Sequence, residues 1–331
     1  MARATMTDVA RTAGVSVATV SKVVNSRYGV SPATSAKVQR VIDELGFESS
    51  LIARSLRSQK TNVIGILVAE FEPFSTEILK GASLAITGTC YELLAYSGAG
   101  RLGNQGGWER RYLSRLGGTL IDGAVLVTPT VVDAGRSFPV VAIDPHTGPS
   151  GLPTVDSDSL AGAVMATEHL VALGHRRIGF LGGRPDMESS SQREAGFRQA
   201  MAAAGLAVDP ALVLAADYLR QAAESAATTL LTGPDRPTAI FAANDMSALG
   251  TIDVAHRLGL DVPGDLSVVG FDDVPEAAAT TPGLTTVRQP IRQMGVVAIE
   301  LLVALLAGED VGTAHVRLPT ELVVRGTTSR R

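Results

Sequence analysis

Residues 7–25 read TDVARTAGVSVATVSKVVN, and this stretch decides how the start of the chain folds. Val9, Ala10 and Ala13 recur at helical spacing, and Gly14 stands where a helix ends in the left-handed conformation that glycine adopts without strain. Ser16 then offers a side-chain oxygen to open a second helix, on which Val20, Val23 and Val24 turn to one side. Val17, Ala18, Ser21, Lys22 and Asn25 are left on the other side. Two short helices meet at a glycine-containing turn, and the second carries small residues and one cation near its start. That is the pattern of a helix-turn-helix that reads the DNA major groove. An ordinary helical hairpin shows the same periodicity, so the flanking sequence has to discriminate.

Outward from it, Ser31-Pro32 opens a third helix, with serine as cap and proline at the first helical position. Val38, Val41, Ile42 and Leu45 form its apolar stripe and Gly46 stops it. Three helices with few large side chains make a small core. Residues 51–61, LIARSLRSQKT, have helical spacing but are too short to hold a helix alone in water, and read as a flexible linker away from DNA. Charge divides at the same place. Residues 1–60 carry a net +5 and the remainder −9, a basic head suited to phosphate on an acidic body that is not.

From Asn62 the pattern changes. The apolar runs 62–68, 91–96, 123–128, 140–144, 177–183, 239–244 and 266–273 read as strands. Amphipathic helices are expected near 74–87, 105–117, 159–173, 192–204, 219–231, 245–258 and 290–307. Strand and helix alternate, which argues parallel sheets covered by helices on both faces. The units are too many for one sheet, so two doubly wound α/β lobes are expected, with ligands beyond the strand carboxyl ends. Asp144, Asn244, Asp245, Asp272 and Asp273 cluster at such ends.

Length and composition bound the rest. The 331 residues suggest about two domains, and no apolar run reaches a membrane span or follows a charged start as a signal peptide would. The expectation is a cytoplasmic protein with no membrane partner. One cysteine, Cys90, excludes an intrachain disulfide and a multi-cysteine metal site, and its neighbours suggest a buried structural thiol. No metal and no cofactor are expected. The sequence contains no GxGxxG after a strand, no GxxxxGK[ST], no GxSxG and no HExxH, which argues against an enzyme. His169 and His175 read as structural.

The chain resembles the lac repressor family of bacterial transcription regulators over nearly its whole length. The head carries the resemblance in TDVARTAGVSVATVSKVVN, VSPATSAKVQRVIDELGF (30–47) and ARSLRSQKT (53–61). The body carries it in TEHLVALGHRRIGFLGG (167–183), FAANDMSALG (241–250), VPGDLSVVGFDD (262–273), LTTVRQP (284–290) and LPTELVVRGTT (318–328). The resemblance implies a helix-turn-helix headpiece over 1–48, a hinge helix or linker over 49–61, and an effector-binding and dimerisation domain over 62–331. That domain is similar to periplasmic sugar-binding proteins. Its N-lobe is expected at about 62–160 and 291–319, its C-lobe at about 161–290 and 320–331.

By the same resemblance Val17, Ala18 and Lys22 are base-reading positions. Lys22 can donate to guanine O6 and N7, though without the bidentate fork of the arginine that relatives often carry there. Thr5, Ser16, Thr19, Ser21, Asn25, Ser31 and Thr34 match positions that hold the DNA backbone, and Ser16 and Ser31 are also expected to cap helices. In the hinge, Ala53 and Leu56 match a minor-groove element, Leu56 wedging into the central base step. The sequence departs from the family just before it: Phe47-Glu48-Ser49-Ser50 replaces the common Tyr-x-Pro-Asn, losing a hydroxyl and a preset φ.

Effector contacts implied by the resemblance are Arg193, Asn244 and Asp272, with Tyr218 as a stacking aromatic, Phe74 and Asp144 from the opposite lobe, and Ser189 and Gln289 as weaker members. A carboxylate accepts from vicinal hydroxyls while arginine and amide donors meet ring oxygens. Phe74 suits core and cleft alike. One of Asp272 and Asp273 is expected to cap the turn that follows. Arg193 is expected in a helix's first turn, where it opposes the macrodipole and needs a reason that a bound carbohydrate or other polar ligand provides. Trp108 is expected to pack a helix on its sheet or to shape the cleft. The implied function is a regulator, a repressor of a sugar-utilisation operon, that binds palindromic operator DNA as a homodimer under control of a small carbohydrate. A nucleobase or phosphosugar effector is the alternative within the family. A sugar-binding enzyme and an exported sugar-binding protein are the rivals outside it.

Overall fold

The computed structural model describes residues 4–24, 28–47, 60–98, 107–130, 138–148 and 151–331. The chain divides into two compact units, Met1–Thr61 with Gly118–Leu120, and Asn62–Gly117 with Ile121–Arg331.

In the N-terminal unit, α1 (Met6–Ala13), α2 (Val17–Val24) and α3 (Pro32–Leu45) follow the expected spacing. Thr5 and Asp8 form a reciprocal capping box that satisfies two backbone donors at the start of α1. Gly14 and Gly46 end α1 and α3 at φ 62° and 57°, a conformation open to glycine. Beyond each, the next N–H reaches back to a helix carbonyl, Val15 to Ala10 and Phe47 to Ile42, both at 3.0 Å. The core is small: Val9, Ala10, Ala13, Val20, Val38 and Val41, with Phe47 and Ile42 packed against it. Phe47 thus serves the core here. Glu48–Ser50 and nearly all of the hinge, Ala53 and Leu56 included, lie outside the described residues, as does Asn25.

The larger unit holds two six-stranded sheets among the described residues. The first runs β2 (Glu92–Ser97), β1 (Val63–Val68), β3 (Gly123–Val127), β4 (Val140–Ile143), β5 (Thr154–Ser157) and β11 (His315–Leu318), all parallel. The second runs β7 (Val213–Ala215), β6 (Ile178–Gly182), β8 (Ala239–Ala242), β9 (Ser267–Asp272), β10 (Thr285–Arg288) and β12 (Glu321–Val323), with β12 antiparallel. Helices α4 (Pro73–Ala85), α5 (Trp108–Leu116) and α11 (Ile291–Leu306) accompany the first sheet. Those of the second are α6 (Ser159–Ala172), α7 (Glu188–Ala203), α8 (Arg220–Thr232), α9 (Asp245–Arg257) and the short α10 (Pro275–Ala279). Every residue of β1 and β9 is buried, as strands covered on both faces must be.

Helices α4 and α11 cross where both carry glycine. A Cβ on Gly81 would sit 1.9 Å from the Arg292 carbonyl, and one on Gly295 would sit 2.3 Å from that of Ile78. Only a missing side chain lets the backbones meet so closely. The chain passes between the sheets three times, at 157–159, 288–291 and 318–321.

Strands β5, β7, β10, β11 and β12 go beyond the sequence expectation. They are three or four residues long; β5, β10 and β11 carry polar side chains (TVDS, TTVR, HVRL), so no apolar run marks those three. Helix α7 begins at Glu188, four residues before its expected start, because the serine-rich ESSSQ reads as loop. That corrects the placement of Arg193, which lies in the second turn and not the first. Cys90 is corrected too: it is exposed, in the turn that leads into edge strand β2.

Candidate functional site

Two sets of expected residues occupy different units. On the headpiece, Val17 is 44% exposed at the start of α2, with Ala18 exposed beside it and Lys22 exposed one turn on. The hydroxyls around them serve the helices first. Ser16 Oγ accepts from the Thr19 N–H at 3.1 Å and lies 2.9 Å from the Thr19 hydroxyl. Ser31 repeats this with Thr34 at 3.2 and 2.9 Å. Thr5 donates to Asp8 Oδ2 at 2.6 Å within its capping box. Ser21 is half-buried. Each exposed hydroxyl keeps a lone pair for an incoming N–H or water, so capping leaves backbone contact open. The sequence reading passed over Tyr28, which is fully exposed between α2 and α3. An aromatic outside every apolar stripe was the available signal.

In the larger unit a cavity of about 810 Å³ opens between the two sheets, at the carboxyl ends of their strands. All eight expected cleft residues line it: Phe74, Asp144, Ser189, Arg193, Tyr218, Asn244, Asp272 and Gln289. Trp108 lines it as well, while 2% exposed and packed on Gly98 and Tyr112. Unforeseen members are Glu70 and Glu72 after β1, Thr128 and Thr130 after β3, His146 after β4, Arg184, Asp186 and Met187 after β6, and Asp217 and Leu219 after β7. Each follows a strand end, the position that open α/β sheets use for ligands.

Backbone strain gathers here. Thr128, Asp144, Asp217, Tyr218 and Asp272 have φ of 47°, 45°, 51°, 63° and 119°, a region that side chains other than glycine rarely enter. Among the described residues only Asn62 and Asp273 share that property without lining the cavity. Strain held at one place points to a geometry kept for function.

Arg193 organises the floor. It is 3% exposed and lies over the Phe271 ring, 3.8 Å from its centroid. Its Nη1 donates to the Ala243 carbonyl at 2.5 Å and sits 3.5 Å from Asp272 Oδ1. Gln289 Nε2 donates to the same carboxylate oxygen at 2.6 Å, and Gln289 Oε1 accepts from Ser157 at 2.5 Å. Burial pushes Asp272 up to about 7; Arg193 and Gln289 restrain that rise, and Asp144 and Glu72 add to it. Asp144 is raised by burial against the pull of Arg193, and it accepts from Ser189 at 3.0 Å. Burial, with Asp272 next, holds Asp245 well above the usual carboxylate range.

Asn244 caps α9, accepting from the Ser247 N–H at 2.9 Å and donating to the Tyr218 carbonyl at 3.1 Å. The Tyr218 hydroxyl is buried near Ser189 without a well-formed hydrogen bond, and burial raises its pKa. Neither Asp272 nor Asp273 caps the next turn as expected. Asp245 accepts the Val274 N–H at 2.9 Å, while Asp273 pairs with Arg288 and Arg325 at 2.7 and 2.6 Å. Acceptors, an arginine, an amide and an unspent phenol thus surround space for a molecule with many hydroxyls.

No helix among the described residues is long and apolar enough to cross a membrane, and none of their His, Cys, Asp and Glu residues group as a metal site would require. Residues 5–50 match the family described as bacterial regulatory proteins, lacI family, and residues 167–328 match a periplasmic binding protein-like domain. The chain is 34% identical to the HTH-type transcriptional repressor PurR of Photobacterium profundum, over 97% of this chain and 98% of that protein. It is similar to a solved transcriptional regulator CelR–cellobiose complex, with a TM-score of 0.74 and 32% identity over 98% of this chain and 100% of that one. It is also similar to the lac repressor dimer bound to operator and the anti-inducer ONPF, with a TM-score of 0.82 and 27% identity over 99% and 100% of the two chains. A reading head and a two-lobed body matched over their full length place this chain in the LacI family of DNA-binding transcriptional repressors.

Proposed function

We propose that this repressor binds a two-fold symmetric operator as a homodimer in the cytoplasm, and that a small carbohydrate in the cavity sets its operator affinity. One observation carries the effector reading. The strand ends of both sheets, with helix α7, bring Asp144, Asp272, Arg193, Asn244 and Tyr218 around one cavity, so a polyol meets partners from both lobes at once. Asp272 and Asp144 accept from ligand hydroxyls, Arg193 and Tyr218 donate to ligand oxygens, and Phe74 supplies an apolar face. Similarity to a regulator solved with cellobiose supports a sugar. On the head, Val17, Ala18 and Lys22 read base edges, while Thr5, Ser16, Thr19, Ser21, Asn25, Ser31 and Thr34 hold phosphates. Ala53 and Leu56 act in the minor groove.

Ligand binding draws the lobes together about the three crossings, and the altered lobe positions decide whether two heads reach both half-sites. The coupling is reciprocal: operator changes sugar affinity by the factor that sugar changes operator affinity. The ligand acts as an effector and leaves the cavity chemically unchanged. Aromatic faces from Phe74 and Tyr218 also suit a flat ring, which keeps a nucleobase as the second reading.

Fluorescence anisotropy with a palindromic DNA library, with and without a panel of sugars and nucleobases, tests the proposal. Selective binding released by a sugar is the expected result. Binding that requires a nucleobase moves the protein to the second reading. Unselective binding unaltered by Lys22→Ala removes the head from its assigned role.

A further inference from the structure

The charged groups around the cavity are unequal in number and in partnering. Six carboxylates line it, Glu70, Glu72, Asp144, Asp186, Asp217 and Asp272, against two guanidiniums, Arg184 and Arg193. Both guanidiniums are engaged. Arg184 donates through Nε and Nη2 to Asp186 at 3.0 and 2.8 Å, and Arg193 faces Asp272 and the Ala243 carbonyl. Glu70, Glu72 and Asp217 have no ion-pair partner among the described residues. The one imidazole on the wall, that of His146, lies 3.1 Å from Asp186 and faces an acid already.

The site also resists negative charge on its own acids. Glu72, Asp144 and Asp272 are all raised by burial, Glu72 further by Glu70. Burial opposes charge of either sign, but the like-charge contributions, Glu70 on Glu72 and Asp144 and Glu72 on Asp272, report a negative potential that opposes an anionic ligand and not a cationic one. The buried Tyr218 hydroxyl, without a well-formed hydrogen bond, marks where a ligand oxygen can be received.

We infer that the cavity takes an uncharged polyhydroxylated ligand, admits its amino-substituted analogue, and excludes the phosphorylated and carboxylated forms of the same compound. The inference rests on the carbohydrate reading above and narrows it to a charge class. It also places the repressor in a reaction sequence. The protein senses the compound before phosphoryl transfer, and the kinase step that consumes the free sugar removes the signal.

Calorimetric titration of the full-length protein with matched probes tests this: ribose, glucose and cellobiose, then ribose 5-phosphate, glucose 6-phosphate, glucuronate and glucosamine, with adenosine against AMP. A neutral sugar that binds at least about thirtyfold tighter than its phosphate ester, with the amino sugar within about threefold of its parent, is expected. A phosphate ester or uronate that binds as tightly as its parent overturns the inference. In the double variant Glu72→Gln, Asp217→Asn the gap between neutral and phosphorylated probes narrows about tenfold or more. A gap unchanged in that folded variant removes the carboxylates as its cause and the inference with it. Binding of adenosine with no sugar bound rejects the carbohydrate reading but upholds the charge rule if AMP binds weakly. Binding of AMP over adenosine, again with no sugar bound, rejects both.

Discussion

Replacing Asp272 by asparagine separates what the cavity needs for binding from what the fold would prefer. An aspartate of ordinary pKa 3.8 is held at about 7 here, because the carboxylate at the end of β9 is buried, with Asp144 and Glu72 adding to the rise. At pH 8 the folded protein must keep that group ionised against its surroundings, at a cost on the order of 4 kcal/mol relative to the unfolded chain. Since the folded-state pKa is raised, the folded state binds more protons than the unfolded one between about pH 4 and 7, and stability falls as pH rises through that window. Asparagine keeps an oxygen that accepts from Gln289 and mimics the protonated acid. Asp272→Asn is therefore expected to stabilise the ligand-free protein by up to about 4 kcal/mol at pH 8, roughly 5–10 °C in melting temperature, and by only about 1.5 kcal/mol at pH 5. The same variant loses effector affinity by about tenfold or more, since a strong acceptor for hydroxyls is gone. Thermal melts of both proteins from pH 5 to 8, with calorimetry on the effector, read both effects. A variant less stable than wild type at pH 8, or a gain that does not shrink on acidification, refutes the argument.

Three further outcomes follow from the described contacts. Lys22→Ala should weaken operator binding by about 1–3 kcal/mol with the circular dichroism of the headpiece unchanged, because the side chain stands outside the core. Gly295→Val should unfold or markedly destabilise the larger unit in urea titration, since its Cβ falls 2.3 Å from a backbone carbonyl that cannot yield, whereas Gly259→Ala, with open space around it, should cost only the strain of its φ of 73°, roughly 1–2 kcal/mol. Trp108→Ala should cost on the order of 3–5 kcal/mol of stability, because the ring is buried against Gly98 and Tyr112, and should weaken effector binding in the same preparation.

Much of this architecture was legible because its signals are local. The run VIGILV can only be a strand covered on both faces, and Ser31-Pro32 or Gly46 mark helix ends by the chemistry of one residue. The short outer strands were not legible. TTVR becomes β10 only because it pairs with β9 on one side and β12 on the other, which no window of sequence contains. Cys90 misled because apolar neighbours along the chain are not neighbours in space at a sheet edge. The eight cleft residues came from family resemblance, and the acids Glu70, Glu72 and Asp217 stayed hidden although all follow strand ends. Charge balance around a cavity is a property of the folded assembly of loops; it cannot be summed until the loops are brought together.

The three crossings also dictate the order in which the protein becomes complete on the ribosome. The reading head closes its core within the first 47 residues and is free to fold while the rest is unmade. The first sheet cannot finish so early, since it waits for α11 at Ile291–Leu306 and for β11 at His315–Leu318. The reader is therefore assembled first and the sensor last. A chain cut short between the head and β11 leaves a folded DNA-reading head attached to a body that has no finished sensor.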